Sequence, residues 1–294
     1  MNARIDPSLF NAPELYHATL PSGLRVPYVA QGTGEPLVFV HGSLCDYRYW
    51  NGQLGALSKD YLCVSPSLSH YWPSNRGPSN CGPSSEAEAP GEFSWSAHVH
   101  EVAAFIAAMN LGPVHLVGHS RGGCVAFHVA REYPELVKSL TLADPGGPLQ
   151  IDGTPPATLP AATTALREKV AQLIGQGEIE AGLEMFVDSV SMPGIWRRSS
   201  PSFRRMATDN AGTLPGQFRD PLPAYERAAA MQVRCRTLLI EGEKSPRMYR
   251  NNAAKLAEWI PQAEKHTIAG ASHGMSVTHP GSFNRLIAAF VASA

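Results

Sequence analysis

The stretch Pro113 to Val129, PVHLVGHSRGGCVAFHV, constrains this chain more than any other. Val114, Leu116 and Val117 form a short apolar run of the length expected for a buried strand. The run breaks at Gly118-His119-Ser120-Arg121-Gly122-Gly123, and a helix-compatible segment follows with Val125, Phe127 and Val129. Gly118-x-Ser120-x-Gly122 is the nucleophile-elbow pattern, in which a strand turns into a helix so sharply that the serine is held in a strained conformation. Both glycines are required because a side chain at either position would collide with the adjoining backbone.

The chain has 294 residues, enough for one large domain or a domain with an insertion. Hydrophobic residues make up 44% and charged residues 17%, the balance of a globular protein rather than a disordered one. A formal net charge of -1 gives no electrostatic reason to expect nucleic acid or an anionic membrane as a partner. No apolar run approaches the roughly 20 residues of a membrane span, and the opening MNARIDPSLFNAPELYH lacks the apolar core of a signal peptide. Cys45, Cys63, Cys81, Cys124 and Cys235 are scattered without a C-x-x-C pair. That spacing predicts reduced thiols and a cytoplasmic protein, with neither a disulfide framework nor a zinc site.

Read in order, Tyr16 to Leu20 and Leu24 to Ala30 form a hairpin across Pro21-Ser22-Gly23. Pro36 to Val40 is a fully apolar strand, as found in sheets covered on both faces. It ends in His41-Gly42-Ser43-Leu44, and Tyr47 to Leu57 reads as helical. Tyr61 to Ser65 is a short strand, and residues 66 to 92, dense in Pro, Ser, Gly and Asn, read as a long surface loop. Val99, Val102, Ala103, Ile106 and Met109 share one helical face. Val137 to Ala143 is a strand that stops at Asp144-Pro145-Gly146-Gly147. Two amphipathic helices then carry Leu166, Val170, Leu173 and Ile174, and Leu183, Phe186, Val187 and Val190, with proline-rich connectors between and after them. Strand-helix alternation resumes at Thr237 to Ile240, a helix near Asn251 to Ile260, a strand near Lys265 to Ala269, and a last helix. Such alternation predicts a mostly parallel sheet with helices on both faces. Function then belongs at the carboxyl ends of the strands, where Ser43, Ser120, Asp144 and His273 all fall.

A serine hydroxyl needs a base to take its proton. His115 and His128 lie inside a strand and a helix, His41 is placed to brace the loop after its strand, and His119 points away from its neighbour Ser120. His273, in Gly270-Ala271-Ser272-His273-Gly274, sits in a small-residue loop that lets an imidazole reach across the strand ends. The acid that orients it comes from one of two strand ends: Asp144 is assigned, with Glu243 as the alternative. A developing oxyanion needs backbone N–H donors, assigned to Arg121, the residue after the nucleophile, and to Ser43, with Leu44 next to it as the alternative. The Arg121 side chain is expected to cover the surface beside the elbow without a chemical role.

In this order, VFVHGSLCDYRYW, VHLVGHSRGG, LTLADPGG, LLIEGEKSP and GASHGM resemble the α/β-hydrolase fold superfamily from about residue 15 onward. The resemblance implies an eight-stranded, mostly parallel sheet with helices on both faces and a helical cap inserted after the sixth strand. The core would be 1–147 and 233–294, and the cap 148–232. It implies a serine hydrolase with no metal or organic cofactor, using Ser120, His273 and Asp144 on a small-molecule ester or lactone, as a monomer or homodimer. Ser245 stands where most members carry the acid, and Asp144 matches members that place it after the sixth strand. Leu44, Met192 and Trp196 are the candidate pocket-lining residues, whereas Phe186 is assigned to the cap's own packing. The same residues also allow carbon–carbon or amide bond hydrolysis, cofactor-free perhydrolysis, or a small-molecule receptor that keeps the triad. Haloalkane dehalogenation and epoxide hydrolysis are excluded, since both require a carboxylate where Ser120 stands.

Overall fold

The computed structural model describes residues 14–74, 91–155 and 158–294. Residues 1–13 of the opening segment read for a signal peptide, most of the loop read between 66 and 92, and Cys81 lie outside the described residues. The strands are β1 (Tyr16–Thr19), β2 (Arg25–Gln31), β3 (Pro36–Val40), β4 (Leu62–Pro66), β5 (Val114–His119), β6 (Val137–Ala143), β7 (Leu149–Gln150), β8 (Tyr225–Glu226), β9 (Arg236–Gly242) and β10 (Ala263–Ile268). Eight of them form one sheet in the order β1-β2-β4-β3-β5-β6-β9-β10, and β7 pairs with β8. β1, β2 and β4 pair antiparallel; from β4 onward every neighbour is parallel. The expected eight-stranded, mostly parallel sheet is therefore present.

The chain passes from β3 to β4 on one side and returns to β5 on the other, with Leu37 opposite both Cys63 and His115. That reversal opens a crevice at the carboxyl ends of β3 and β5, where ligands bind in open parallel sheets. The central strands β3 and β5 are buried almost along their whole length because helices cover both faces: β5 has no exposed residue and β3 only a half-buried Pro36.

The helices are α1 (Asn51–Leu57), α2 (Trp95–Ala108), α3 (Arg121–Glu132), α4 (Ala161–Gly175), α5 (Ile179–Val190), α6 (Ile195–Arg198), α7 (Pro201–Asp209), α8 (Leu214–Arg219), α9 (Arg227–Ala230), α10 (Arg247–Trp259), α11 (Met275–Thr278) and α12 (Pro280–Val291). On one face of the sheet α2, α3 and α10 contribute Val102, Phe105, Phe127 and Leu256 to one core. On the other, α1 and α12 contribute Leu54, Phe283, Ile287 and Phe290, together with Trp50. A fully buried side chain of this size contributes roughly 1.5–3 kcal/mol. Between β6 and β9 the chain builds a separate apolar cluster from Val170, Ile174, Leu183, Phe186, Trp196, Ala207 and Leu214.

The structure differs from the sequence reading in this stretch. The proline-rich connectors contain the short helices α6 to α8; in α7 and α8 Pro201 and Pro215 occupy first-turn positions where proline's fixed φ suits a helix. Ser200 caps α7 by accepting from the Phe203 N–H at 3.2 Å. Among the described residues no helix is long and apolar enough to cross a membrane. Cys45, Cys63, Cys124 and Cys235 carry free thiols.

Candidate active site

Ser120 sits between β5 and α3 with φ 55° and ψ -121°, in the left-handed half of backbone space that a residue with a Cβ rarely occupies. Strain of this kind costs about 1–3 kcal/mol and persists only where the surroundings enforce it. Here the Ser120 N–H donates to Ala143 O at 3.0 Å, and its carbonyl accepts from Gly123 at 2.9 Å, Cys124 at 3.2 Å and Gly146 at 2.9 Å. The flanking glycines make the turn sterically possible. A Cβ on Gly118 would stand 2.4 Å from Gly122 O, and one on Gly122 would stand 2.3 Å from His41 O.

The structure brings Ser120, His273 and Asp144 into one hydrogen-bonded chain. His273 Nε2 is 3.0 Å from Ser120 Oγ, and His273 Nδ1 is 3.0 Å from Asp144 Oδ2. All three are buried, Asp144 completely. Asp144 also has a positive φ, 41°, and its N–H donates to Ile240 O at 2.9 Å, which ties the end of β6 to β9. Glu243 lies elsewhere: it is exposed and accepts from the Gly270 N–H at 2.7 Å, bracing the loop that carries His273.

Ser245, which cannot itself be an acid, donates its hydroxyl to Asp144 Oδ2 at 2.5 Å. Tyr249, in the first turn of α10, stacks on the His273 ring with centroids 3.9 Å apart and planes 21° apart. Burial raises the Tyr249 pKa, and a side-chain hydrogen bond with Ser120 pulls it the other way, so the phenol stays protonated beside the nucleophile. Sequence reasoning missed both residues. The signal for Ser245 was its place just past a strand end; Tyr249 gave none.

The other histidines hold the frame. His41 Nδ1 donates to Gly42 O at 3.0 Å and its Nε2 accepts from Leu68 N–H at 3.1 Å, so the ring is neutral and braces the loop after β3. His119 Nε2 donates to His273 O at 2.8 Å while its ring stacks on Tyr49, and burial, then the neighbouring His273, holds its pKa well below the usual value. His119 thus fixes the backbone of His273 while Asp144 fixes its ring. His115 lies between Ser139 Oγ at 2.7 Å and Glu35 Oε2 at 3.0 Å.

Above the strand ends, Ser43 Oγ donates to Gln217 Oε1 at 2.6 Å, which joins the loop after β3 to α8. Arg121 is the first residue of α3, so its backbone N–H has no acceptor within the helix. Its side chain departs from expectation. It is 6% exposed rather than on the surface, lies over the Phe93 ring at 4.8 Å, and reaches Asp220 Oδ2 at 3.3 Å. The reason is that α8 and the Phe93 region cover the elbow from above; a Cβ on Gly216 of α8 would stand only 3.0 Å from Phe93.

Of the residues expected to line a pocket, Leu44, with φ 60°, and Trp196 are buried within the apolar cluster of the 148–232 segment. The Trp196 ring lies off the stripe of α5 and joins the same core cluster as Ala207 and Leu214. Met192 is half-buried in a turn whose Ser191 Oγ is 3.2 Å from Ser272 Oγ, one residue before His273. Phe186 packs with Phe218 at 5.8 Å within that cluster. Among the described residues no group of three or more His, Cys, Asp or Glu side chains is placed to hold a metal ion.

Residues 37–286 match the model of the alpha/beta hydrolase family. The chain belongs to that family. The 2-hydroxymuconate semialdehyde hydrolase of Pseudomonas sp. (strain CF600) is 23% identical over 97% of this chain and 96% of its own length. Among solved structures, a bromoperoxidase from Bacillus anthracis superposes with a TM-score of 0.75 at 21% identity, covering 95% of this chain and 100% of the other. A thermophilic esterase from Thermogutta terrifontis gives 0.72 at 20% identity, covering 95% and 98%. These likenesses show an α/β-hydrolase fold, and the family match makes this chain a hydrolase.

Proposed function

We propose that this α/β-hydrolase cleaves carboxylic esters or lactones of small molecules through an acyl-enzyme on Ser120. The observation that carries the reading is the unbroken chain from Ser120 Oγ through His273 to a fully buried Asp144, with 3.0 Å at each step. A buried carboxylate beside an imidazole favours the tautomer that accepts at Nε2 and stabilises the ring once it is charged.

In this reading the Ser120 hydroxyl transfers its proton to His273 Nε2 as Oγ attacks the substrate carbonyl. The backbone N–H groups of Arg121 and Ser43 receive the resulting oxyanion. Collapse expels the alkoxide, which takes the proton from His273. A water molecule, deprotonated by the same imidazole, then attacks the acyl-enzyme, and Ser120 recovers its proton as the acid departs. Tyr249 keeps the His273 ring in plane by stacking, and Ser245 anchors the carboxylate that orients it. The segment 148–232 serves as a cap, with Met192 and Leu44 beside the substrate and Trp196 stiffening the cap. Substrate entry from a cytoplasmic pool fits the free thiols.

The likeness to a semialdehyde hydrolase over nearly the whole chain supports a second reading, hydrolysis of a carbon–carbon bond on the same triad. Assaying p-nitrophenyl esters and simple lactones alongside vinylogous diketones separates the two. Turnover of the esters and lactones with the diketones inert supports ester chemistry, and the reverse supports carbon–carbon cleavage.

A further inference from the structure

The loop after β3 meets the nucleophile on one side and the segment 148–232 on the other. A Cβ on Gly42 would stand 3.0 Å from the Ser120 Cβ and 3.1 Å from His119 O, so the loop lies against the elbow without slack. The Cys45 N–H donates to Gly42 O at 3.3 Å, and Leu44 has φ 60°. Leu44 thus stands at the third position of a tight turn, where a positive φ usually calls for glycine or asparagine. Ser43 stands at the second position, and its N–H donates to no acceptor among the described residues. A turn strained in this way keeps its shape only where its surroundings enforce it.

The enforcing residues come from the distant segment. The Ser43 hydroxyl donates to Gln217 Oε1 at 2.6 Å. Gln217 is buried, and its Nε2 donates to Thr213 Oγ1 at 2.8 Å, whose hydroxyl donates to Asn210 O at 2.7 Å. The Leu44 side chain is buried in one cluster with Val170, Leu183 and Leu214. Asp46, wholly buried, accepts from Asn210 Nδ2 at 2.7 Å, and Asn210 Oδ1 accepts from the Trp72 N–H at 2.7 Å. Arg48 donates to Asp46 Oδ1 at 2.8 Å and to Asp209 Oδ2 at 2.9 Å. Ser43, Leu44 and Asp46 are therefore each gripped from across the site. Both ends of the Gln217 amide are engaged within the protein, which suits a residue that holds a loop rather than one that binds substrate.

We propose that Gln217 is a positioning residue for the oxyanion site: it holds the Ser43 hydroxyl, and through it the Ser43 N–H, where the substrate oxygen becomes charged. This rests on the hydrolase reading, in which that N–H receives the oxyanion. A donor that must meet an oxyanion at about 2.7–3.1 Å cannot sit on a turn free to relax. The segment 148–232 is then part of the catalytic apparatus as well as a cover over the pocket.

The test is a double-mutant cycle on Ser43→Ala, Gln217→Met and the pair, read with p-nitrophenyl butyrate. Each single variant keeps the Ser43 N–H and loses the hydrogen bond that places it. In each, kcat should fall about tenfold to a hundredfold, less than the loss expected when a donor is removed outright, with KM changing by less than about threefold. The double variant should be no worse than the poorer single one, because both remove the same interaction. Ser43→Thr, which keeps a hydroxyl, should recover most of kcat. Affinity for a trifluoromethyl ketone, which forms a tetrahedral oxyanion adduct on Ser120, should weaken in proportion to kcat/KM.

A bond that only stabilises the fold would lower melting temperature and leave the kcat of folded protein and the ketone affinity intact. A Gln217 that contacts substrate would raise KM and give additive losses. Either pattern overturns the proposal. If Gln217→Met does not fold, Ser43→Ala and Ser43→Thr decide, and a Ser43→Ala enzyme with unchanged kcat and ketone affinity overturns it. Where the ester is not turned over, the rate of fluorophosphonate labelling of Ser120 carries the same cycle. Wild-type protein labelled at Ser120 with indifferent variants defeats only this inference, whereas wild-type protein that is never labelled defeats the hydrolase reading beneath it.

Discussion

The Ser245 hydroxyl and the His273 ring converge on one oxygen of Asp144, at 2.5 Å and 3.0 Å. Ser245 follows β9 and Asp144 follows β6, and these strands are neighbours, with Ala143 opposite Ile240. Two adjacent strand ends thus share the work of one carboxylate site: one supplies the charge, the other a hydrogen bond that pins it. A Cβ on Gly242 would stand 2.6 Å from Ser245 Oγ, so the close approach of the two loops depends on a residue without a side chain.

Removing that hydrogen bond is expected to weaken catalysis without abolishing it. A hydrogen bond to a charged group is worth about 1.5–3 kcal/mol, so Ser245→Ala should lower kcat by about tenfold to a hundredfold with KM little changed. Asp144→Asn should lower kcat by about four orders of magnitude, because the imidazole loses its orienting charge. Steady-state kinetics on one p-nitrophenyl ester measures both. A Ser245→Ala enzyme within twofold of wild type would refute the anchoring role.

Tyr249 has two separable contributions. Tyr249→Phe keeps the ring on His273 and removes only the hydroxyl near Ser120, so kcat should fall by less than about tenfold. Tyr249→Ala also removes the stack and should cost about tenfold more. Equal losses in the two variants would show that the stack does not orient His273.

The glycines predict opposite signs of stability change. Gly118→Ala and Gly122→Ala would each push a Cβ into backbone within 2.4 Å, so both should destabilise the fold by about 3 kcal/mol or more. Gly55→Ala, exposed on α1 with nothing within 4 Å of the new Cβ, should stabilise it by about 0.5–1 kcal/mol. Chemical denaturation of the three variants decides the signs.

Glu101 gives a pH signature. It is buried, accepts from Ser69 N–H at 2.8 Å and Oγ at 2.6 Å, and burial lifts its carboxyl to about 7 while the Ser69 hydrogen bonds act the other way. His98, whose Nε2 donates to Ser69 O at 3.1 Å, is held neutral, its pKa lowered to about 3 by burial and then by Arg121. A folded-state pKa above the unfolded 4.5 means the folded protein binds this proton more tightly. The stabilisation is full below the unfolded value and is lost as pH rises through about 7, about 3 kcal/mol in all. Glu101→Gln should therefore flatten the decline in unfolding free energy between pH 5 and about pH 8. An unchanged slope would show that Glu101 is not its source.

The parts of this architecture set by local patterning were legible in the sequence, and the parts set by distant chain were not. The strand Val137–Ala143 is legible because an apolar run ends in an Asp-Pro turn, and the elbow because two glycines flank a serine between a strand and a helix. The helices α6 to α8 were not, since they are shorter than the window of about 11 residues over which helical periodicity is read. Burial of Arg121 depends on α8, about a hundred residues away, packing over the elbow, which no local pattern announces. Trp196 looked free because it lies off the stripe of α5, yet α7 and α8 return to enclose it.

The central claim is that Ser120 is the activated nucleophile of a hydrolase. Incubating the folded protein with a fluorophosphonate and locating the adduct by mass spectrometry tests it most directly. A single adduct on Ser120, slowed by orders of magnitude in His273→Ala and absent after unfolding, is the predicted result; a folded protein whose Ser120 stays unlabelled would contradict the account.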